Sequence, residues 1–261
     1  MARTEPCSLQ EDRHEVERIG LELRITVLPM VEPVVMSALG ILLAILVLFY
    51  LGALLWLAMG FHRLRRRSVP GIRPQEGVPR VSVIVAARNE EANLGRLLSC
   101  LRSQQYPSDA IEFLIADDRS SDHTPELLAA AAAGWDNLRV LRMEDVQEGF
   151  APKKRALDAA IRNSRGDILL LTDADCSPPP TWVRAMVGSF SERTAMVIGF
   201  SPYRFDRQVH PLLRGMLALE YFSLMAVAAG AAGAGFPLTA TGTNLAYRKT
   251  AYEAVGGFGG F

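Results

Sequence analysis

The feature that most constrains this chain is an unbroken apolar run: from Val34 to Phe61 no residue carries a charge. Such a run exceeds the roughly 20 apolar residues a helix needs to cross a bilayer. It lies more than thirty residues from the start, too far and too long for a cleaved leader. It therefore reads as a transmembrane helix over 34–61, preceded by an N-terminal tail, residues 1–33, that carries no clear fold signal. Arg63, Arg65, Arg66, Arg67 and Arg73 follow the run closely, whereas Arg3, Arg13, Arg18 and Arg24 before it are outnumbered by acids. The basic flank marks the cytoplasmic side. The expectation is a single pass through the cell (inner) membrane with the C-terminal bulk in the cytoplasm.

Charge and cysteine content narrow the partners. Basic and acidic residues balance at 28 each, so no bulk field favours nucleic acid. Cys7, Cys100 and Cys176 are scattered without the CxxC or His/Cys spacing of a zinc site or redox pair and read as reduced thiols.

Residues 62–80 form a basic, Pro/Gly-rich linker, and a folded domain occupies 81–261. VSVIV (81–85) is a β-branched strand, and Leu94, Leu97, Leu98 and Leu101 then recur at helical spacing. The alternation repeats through the strands 111–116, 138–141 and 168–171. Thr124, Pro125 and Glu126 read as a helix start with Thr124 as hydroxyl cap; Ala156, Leu157, Ala160 and Ile161 mark another helical face. This pattern predicts an α/β fold with a mostly parallel sheet flanked by helices, in which ligands bind beyond the carboxyl ends of the strands.

Two pairs of acids stand at those ends. Asp117 and Asp118 follow the second strand; Asp173 and Asp175 follow the fourth, and the prolines of CSPPP stop it. Parallel strands would raise all four carboxylates on one edge. Two carboxylates about 4 Å apart repel by about 4 kcal/mol at an effective dielectric of 20, which a hard divalent cation with substrate phosphates would relieve. Lys153 and Lys154, at a helix start, are placed to meet an anionic phosphate.

VSVIVAARNEE, IADDRSSDHT, APKKRALDAAI, ILLLTDADCSPPPTWV and TGTNLAYRKTAYEAVGGFGGF, in this order and spacing, resemble the family 2 glycosyltransferases, specifically the membrane-bound, processive and ceramide-glucosyltransferase-like branch. The resemblance covers about Val81 to Phe261. It implies a GT-A fold, a nucleotide-sugar donor, most commonly a uridine diphosphate sugar, Mg²⁺ or Mn²⁺, and a lipid or polysaccharide acceptor at the membrane.

Position by position, Ala87, Arg88 and Glu90 match the segment against the nucleotide base, and Asp118 with Asp117 the acids that hold base and ribose. Lys153 matches the lysine near the diphosphate. Asp173 and Asp175 match the catalytic DxD pair, Asp173 facing the donor and Asp175 ligating the metal. Thr243 and Asn244 match the loop beneath donor sugar and acceptor.

The family's general base belongs to an acidic pair beyond the Gly-Gly-Phe segment, past Phe261, so the resemblance implies a C-terminally incomplete domain. Two other readings stand beside this one. A non-catalytic, nucleotide-sugar-binding membrane subunit fits the lack of a base. A phosphatase of the haloacid-dehalogenase type would make Asp173 a nucleophile and Asp175 an acid-base group. The uncharged stretch Tyr221 to Leu238 is expected to pack on the domain or rest at the interface, because a crossing there would separate Asn244 from Asp175. Trp182, Tyr203 and Phe205 read as packing residues.

Overall fold

The computed structural model describes residues 9–66, 77–144, 151–205 and 209–259. Most of the expected linker, with Arg67 and Arg73, lies outside the described residues. The chain divides into two compact units, Met1–Met59 and Gly60–Phe261.

The first unit is helical. Helix α1 (Leu9–Arg66) starts well before the apolar run, so residues 9–33 are helix and not the expected tail. That segment is dense in Leu, Glu and Arg, which lose little rotamer freedom in a helix. Val35–Arg66 is long and apolar enough to cross a membrane, and its most apolar window has no buried residue. Arg63, Arg65 and Arg66 lie in its last turn, where cations complement the negative end of the helix dipole. The helix thus runs into what had been expected as linker.

The second unit is built on six strands: β1 (Val81–Ala87), β2 (Ile111–Asp117), β3 (Leu138–Arg142), β4 (Ile168–Thr172), β5 (Met196–Ile198) and β6 (Asn244–Arg248). Their order in the sheet is β3-β2-β1-β4-β6-β5. The first four are parallel; β6 runs antiparallel to both β4 and β5, so β5 points the same way as β4. β1 and β4 are buried along nearly their whole length, which is why they read as continuous apolar runs instead of alternating ones.

Helices cover both faces. Leu94, Leu97 and Leu101 of α2 (Glu91–Arg102), Leu128 of α3 (Thr124–Ala133) and Trp182, Val183 and Met186 of α5 (Trp182–Gly188) pack on one. Ala156, Ala160 and Ile161 of α4 (Pro152–Arg162) pack on the other, where Tyr252 of α7 (Lys249–Ala254) joins them. The cap expected at Thr124 is not made by its hydroxyl. Asp122 Oδ1 takes the Thr124 N–H at 3.0 Å, while Thr124 Oγ1 accepts the Glu90 N–H at 2.8 Å. The side chain serves the neighbouring loop instead of its own helix.

Helix α6 (Pro211–Gly233) is an excursion between β5 and β6. It is long and apolar enough to span, with only 17% of that window buried, so it packs along one face and leaves the rest exposed. Both its ends return to neighbouring strands of one sheet, which keeps Asn244 beside Thr172. Half-buried Arg214, Leu217, Tyr221 and Met225 with buried Ala228 trace its inner face, whereas Leu212, Met216 and Leu219 are exposed on the other. Within this unit, Gly60 meets Gly230 and Gly233 backbone to backbone, where a Cβ on Gly60 would strike the Gly230 carbonyl oxygen.

Candidate functional site

The carboxyl ends of β1, β2 and β4 open onto one edge, and two loops there are stitched together. After β1, Asn89 adopts a left-handed conformation, φ 55, and after β2 Arg119 does the same, φ 57; for arginine this is an uncommon backbone state. Side-chain bonds hold both turns. Asn89 N–H donates to Ser120 Oγ at 2.9 Å, and Ser121 N–H donates to Asn89 Oδ1 at 2.8 Å. Glu91 N–H donates to Asp122 Oδ2 at 3.1 Å. His123 Nδ1 meets Glu91 Oε2 at 2.9 Å, and this hydrogen bond holds the imidazole above its ordinary pKa.

The acids of the second strand have different surroundings. Asp117 Oδ1 accepts Ser120 N–H at 3.1 Å and Ser120 Oγ–H at 2.5 Å, while its Oδ2 is buried without a partner. Such an atom costs about 1–3 kcal/mol until something donates to it. Asp118 is ringed by guanidinium groups. Arg155 Nη2 donates to its Oδ1 at 2.8 Å, Arg119 Nε reaches the same oxygen at 3.2 Å, and Arg88 Nη1 stands 4.0 Å from Oδ2. Arg155 is only 6% exposed and its Nε is unpartnered. A buried carboxylate needs this company, since desolvating an unpaired charge costs several kcal/mol.

At the end of β4, Lys153 Nζ donates to Asp173 Oδ1 at 2.7 Å. The first turn of α4 therefore ties the two acidic clusters together: Lys153 to Asp173, Arg155 to Asp118. Asp175 is exposed; its backbone carbonyl accepts from Arg96 Nη2 at 3.2 Å, and its Oδ1 lies 3.8 Å from the Cys176 sulfur. Burial pushes the Cys176 thiol up, so it stays protonated. The charge cost expected to demand a divalent cation is met in part by protein cations. Among the described residues no group of three or more His, Cys, Asp or Glu side chains gathers as a metal site.

The remaining expected residues divide. Ala87 contributes backbone, its carbonyl accepting the Asp118 N–H at 2.9 Å. Arg88 faces the site and is 54% exposed. Glu90 Oε2 instead accepts from Asn93 Nδ2 at 2.8 Å, at the head of its own helix. Thr243 is half-buried at the entry to β6. Asn244 does not offer its side chain to an open site: its Oδ1 accepts from Trp182 Nε1 at 2.9 Å and its Nδ2 donates to the Phe200 carbonyl at 3.3 Å. Trp182 is thus packing and rivet at once. Tyr203, expected to pack inward, is exposed. Arg155 went unnoticed in the sequence because nothing in a Lys-Lys-Arg run says which cation turns inward.

Comparison with known proteins bears on the family and the fold. Residues 82–256 match the family model described as glycosyl transferase family 2. The chain is 28% identical over 196 residues to the probable glycosyltransferase YdaM of Bacillus subtilis, covering 74% of this chain and 46% of that protein. It is 32% identical over 184 residues to the beta-monoglucosyldiacylglycerol synthase of Synechocystis, covering 69% and 37%. It thus spans less than half the length of either relative. The mannosyltransferase PcManGT of Pyrobaculum calidifontis, solved with GDP-Man and Mn²⁺, shares the fold at TM-score 0.59 and 22% identity, over 80% of this chain and 55% of that one.

Proposed function

The chain belongs to glycosyl transferase family 2, and from that premise we propose that it is a membrane-anchored, inverting glycosyltransferase that uses a uridine diphosphate sugar and a lipid or polysaccharide acceptor. The observation that carries this reading is the first turn of α4, where Lys153 and Arg155 bind the acids of two separate strands. A sheet edge where carboxylates are paired with cations, one of them the exposed Lys153, suits a nucleoside diphosphate. Asp117, with its unmet oxygen, accepts from a base or ribose donor group; Asp118 is held rigid by its arginines; Lys153 swings from Asp173 to the diphosphate.

In transfer, the acceptor hydroxyl gives its proton to a general base and its oxygen bonds to the anomeric carbon as the bond to the diphosphate breaks, and negative charge grows on the leaving group. Lys153 stabilises that charge, and Asp173, released from its lysine, faces the cationic sugar ring. The donor set suits Mg²⁺ or Mn²⁺: Asp175 is an exposed carboxylate at the cleft, and such ions complete their shell with phosphate oxygens and water. Bound there, the ion supplies a Lewis acid to the diphosphate. The relative named for beta-monoglucosyldiacylglycerol synthesis supports a lipid acceptor, and the apolar helix Val35–Arg66 supports an anchor with the domain on the cytoplasmic side.

Calorimetric titration of uridine diphosphate into the detergent-solubilised chain, with and without Mn²⁺, tests the reading. Metal-dependent binding, lost in a folded Asp175→Asn, is expected. No binding by a chain that circular dichroism shows to be folded refutes it.

A further inference from the structure

Three aromatic rings stand at the same edge as the acids without a role in the donor cleft. β5 runs parallel to β4, and Gly199 N–H donates to the Asn244 carbonyl at 2.8 Å while Asn244 pairs with Thr172. Phe200 is therefore level with Asp173, two strands away. At about 4.8 Å per strand the separation is roughly 10 Å. From there Phe200 meets Tyr221 on the inner face of α6, centroids 5.5 Å apart, and Tyr221 meets Tyr203 at 5.1 Å. The cluster is not closed: Phe200 is 52% and Tyr203 56% exposed.

We infer that Phe200, Tyr203 and Tyr221 form the acceptor platform, and that its occupant is the hydrocarbon of a lipid acceptor whose hydroxyl reaches the donor sugar beside Asp173. This rests on the transferase reading and names its acceptor class. The Asn244 amide near Phe200 is already used, bonded at both ends, to Trp182 and to the Phe200 carbonyl. A sugar chain, which needs hydrogen bonds to its hydroxyls, finds few there; a hydrocarbon finds exposed rings. The Tyr221 hydroxyl is buried without a partner, an unmade bond available to a lipid head group. The helix that carries Tyr221 also exposes Leu212, Met216 and Leu219 on its outer side, so the platform adjoins a surface suited to a bilayer. Gly199 lets the Asn244 amide lie against the backbone beside Phe200, since a Cβ there would run into it.

The full chain in phosphatidylcholine nanodiscs, given a diacylglycerol bearing a diazirine on one acyl chain, tests the inference. Mass spectrometry is expected to find label on the segment 199–205 and on Tyr221, falling at least fivefold with excess dioctanoylglycerol and in Phe200→Ser/Tyr203→Ser. Uridine diphosphate affinity should stay within twofold in that variant. Label confined to α1 and the outer side of α6, or label on 199–205 unaffected by the competitor or the serines, overturns it. So does competition by a soluble oligosaccharide in place of dioctanoylglycerol. Failure of the parent chain to bind uridine diphosphate is a separate result and refutes the transferase reading instead.

Discussion

Replacing Arg155 with methionine removes a buried guanidinium while keeping most of its apolar stem. Truncating one member of a buried ion pair costs about 3–5 kcal/mol, because the other charge is stranded. Asp118 keeps Arg119 at 3.2 Å and Arg88 at 4.0 Å. Both are partly exposed and solvent-screened, so they recover part of that cost and leave ~2 kcal/mol. For a domain of this size each kcal/mol shifts the melting temperature by about 2–4 °C, which puts the expected fall at ~4–8 °C. Thermal unfolding of the detergent-solubilised chain, followed by circular dichroism, reads it directly. Arg155→Lys should lie between, since lysine restores the charge but not the planar fork. The decisive comparison is a cycle with Asp118→Asn. If the pair is coupled as the 2.8 Å bond implies, Arg155→Met should cost much less once Asp118 is neutral. Single effects that add to within ~0.5 kcal/mol would refute the reasoning.

Lys153→Ala should barely change thermal stability, within about 0.5 kcal/mol, because its bridge to Asp173 is exposed; uridine diphosphate affinity by calorimetry should fall about tenfold, or ~1.4 kcal/mol. Gly199→Ala should destabilise by about 1–3 kcal/mol through overpacking against the Asn244 amide and shift the fluorescence of Trp182. The His123 imidazole should titrate above 6.5 by NMR, since its hydrogen bond to Glu91 holds the charged form. A raised folded-state pKa means its stabilising contribution is complete below the unfolded value near 6.5 and lost as pH rises through the folded one; Glu91→Gln should bring the midpoint back.

The sheet was legible because parallel strands buried on both faces leave continuous apolar runs, and because acids placed directly after such runs have only one edge to occupy. Lys153 was legible for a related reason: a helix start following β3 returns to the same edge. What escaped was every assignment that a distant partner decides. The Thr124 hydroxyl is claimed by Glu90 from another loop. Asn244 is claimed by Trp182, sixty-two residues away, and Arg155 by Asp118, thirty-seven away. Local pattern carries no trace of those choices. Helix α6 escaped in part, because a helix apolar on all sides looks alike whether it packs on protein or faces something else, and only its half-buried stripe from Arg214 to Ala228 shows which side the domain takes.

Because α6 departs from Ile198 and returns at Asn244, and those strands are bonded neighbours, everything between them is a cassette whose two ends share one hinge of sheet. The β3-β2-β1-β4 part of the sheet and the α4 cations lie outside it. On the proposed reading, chimaeras that swap 200–242 among relatives, while keeping Gly199, Asn244 and Trp182, are expected to change the acceptor and to keep the affinity for uridine diphosphate.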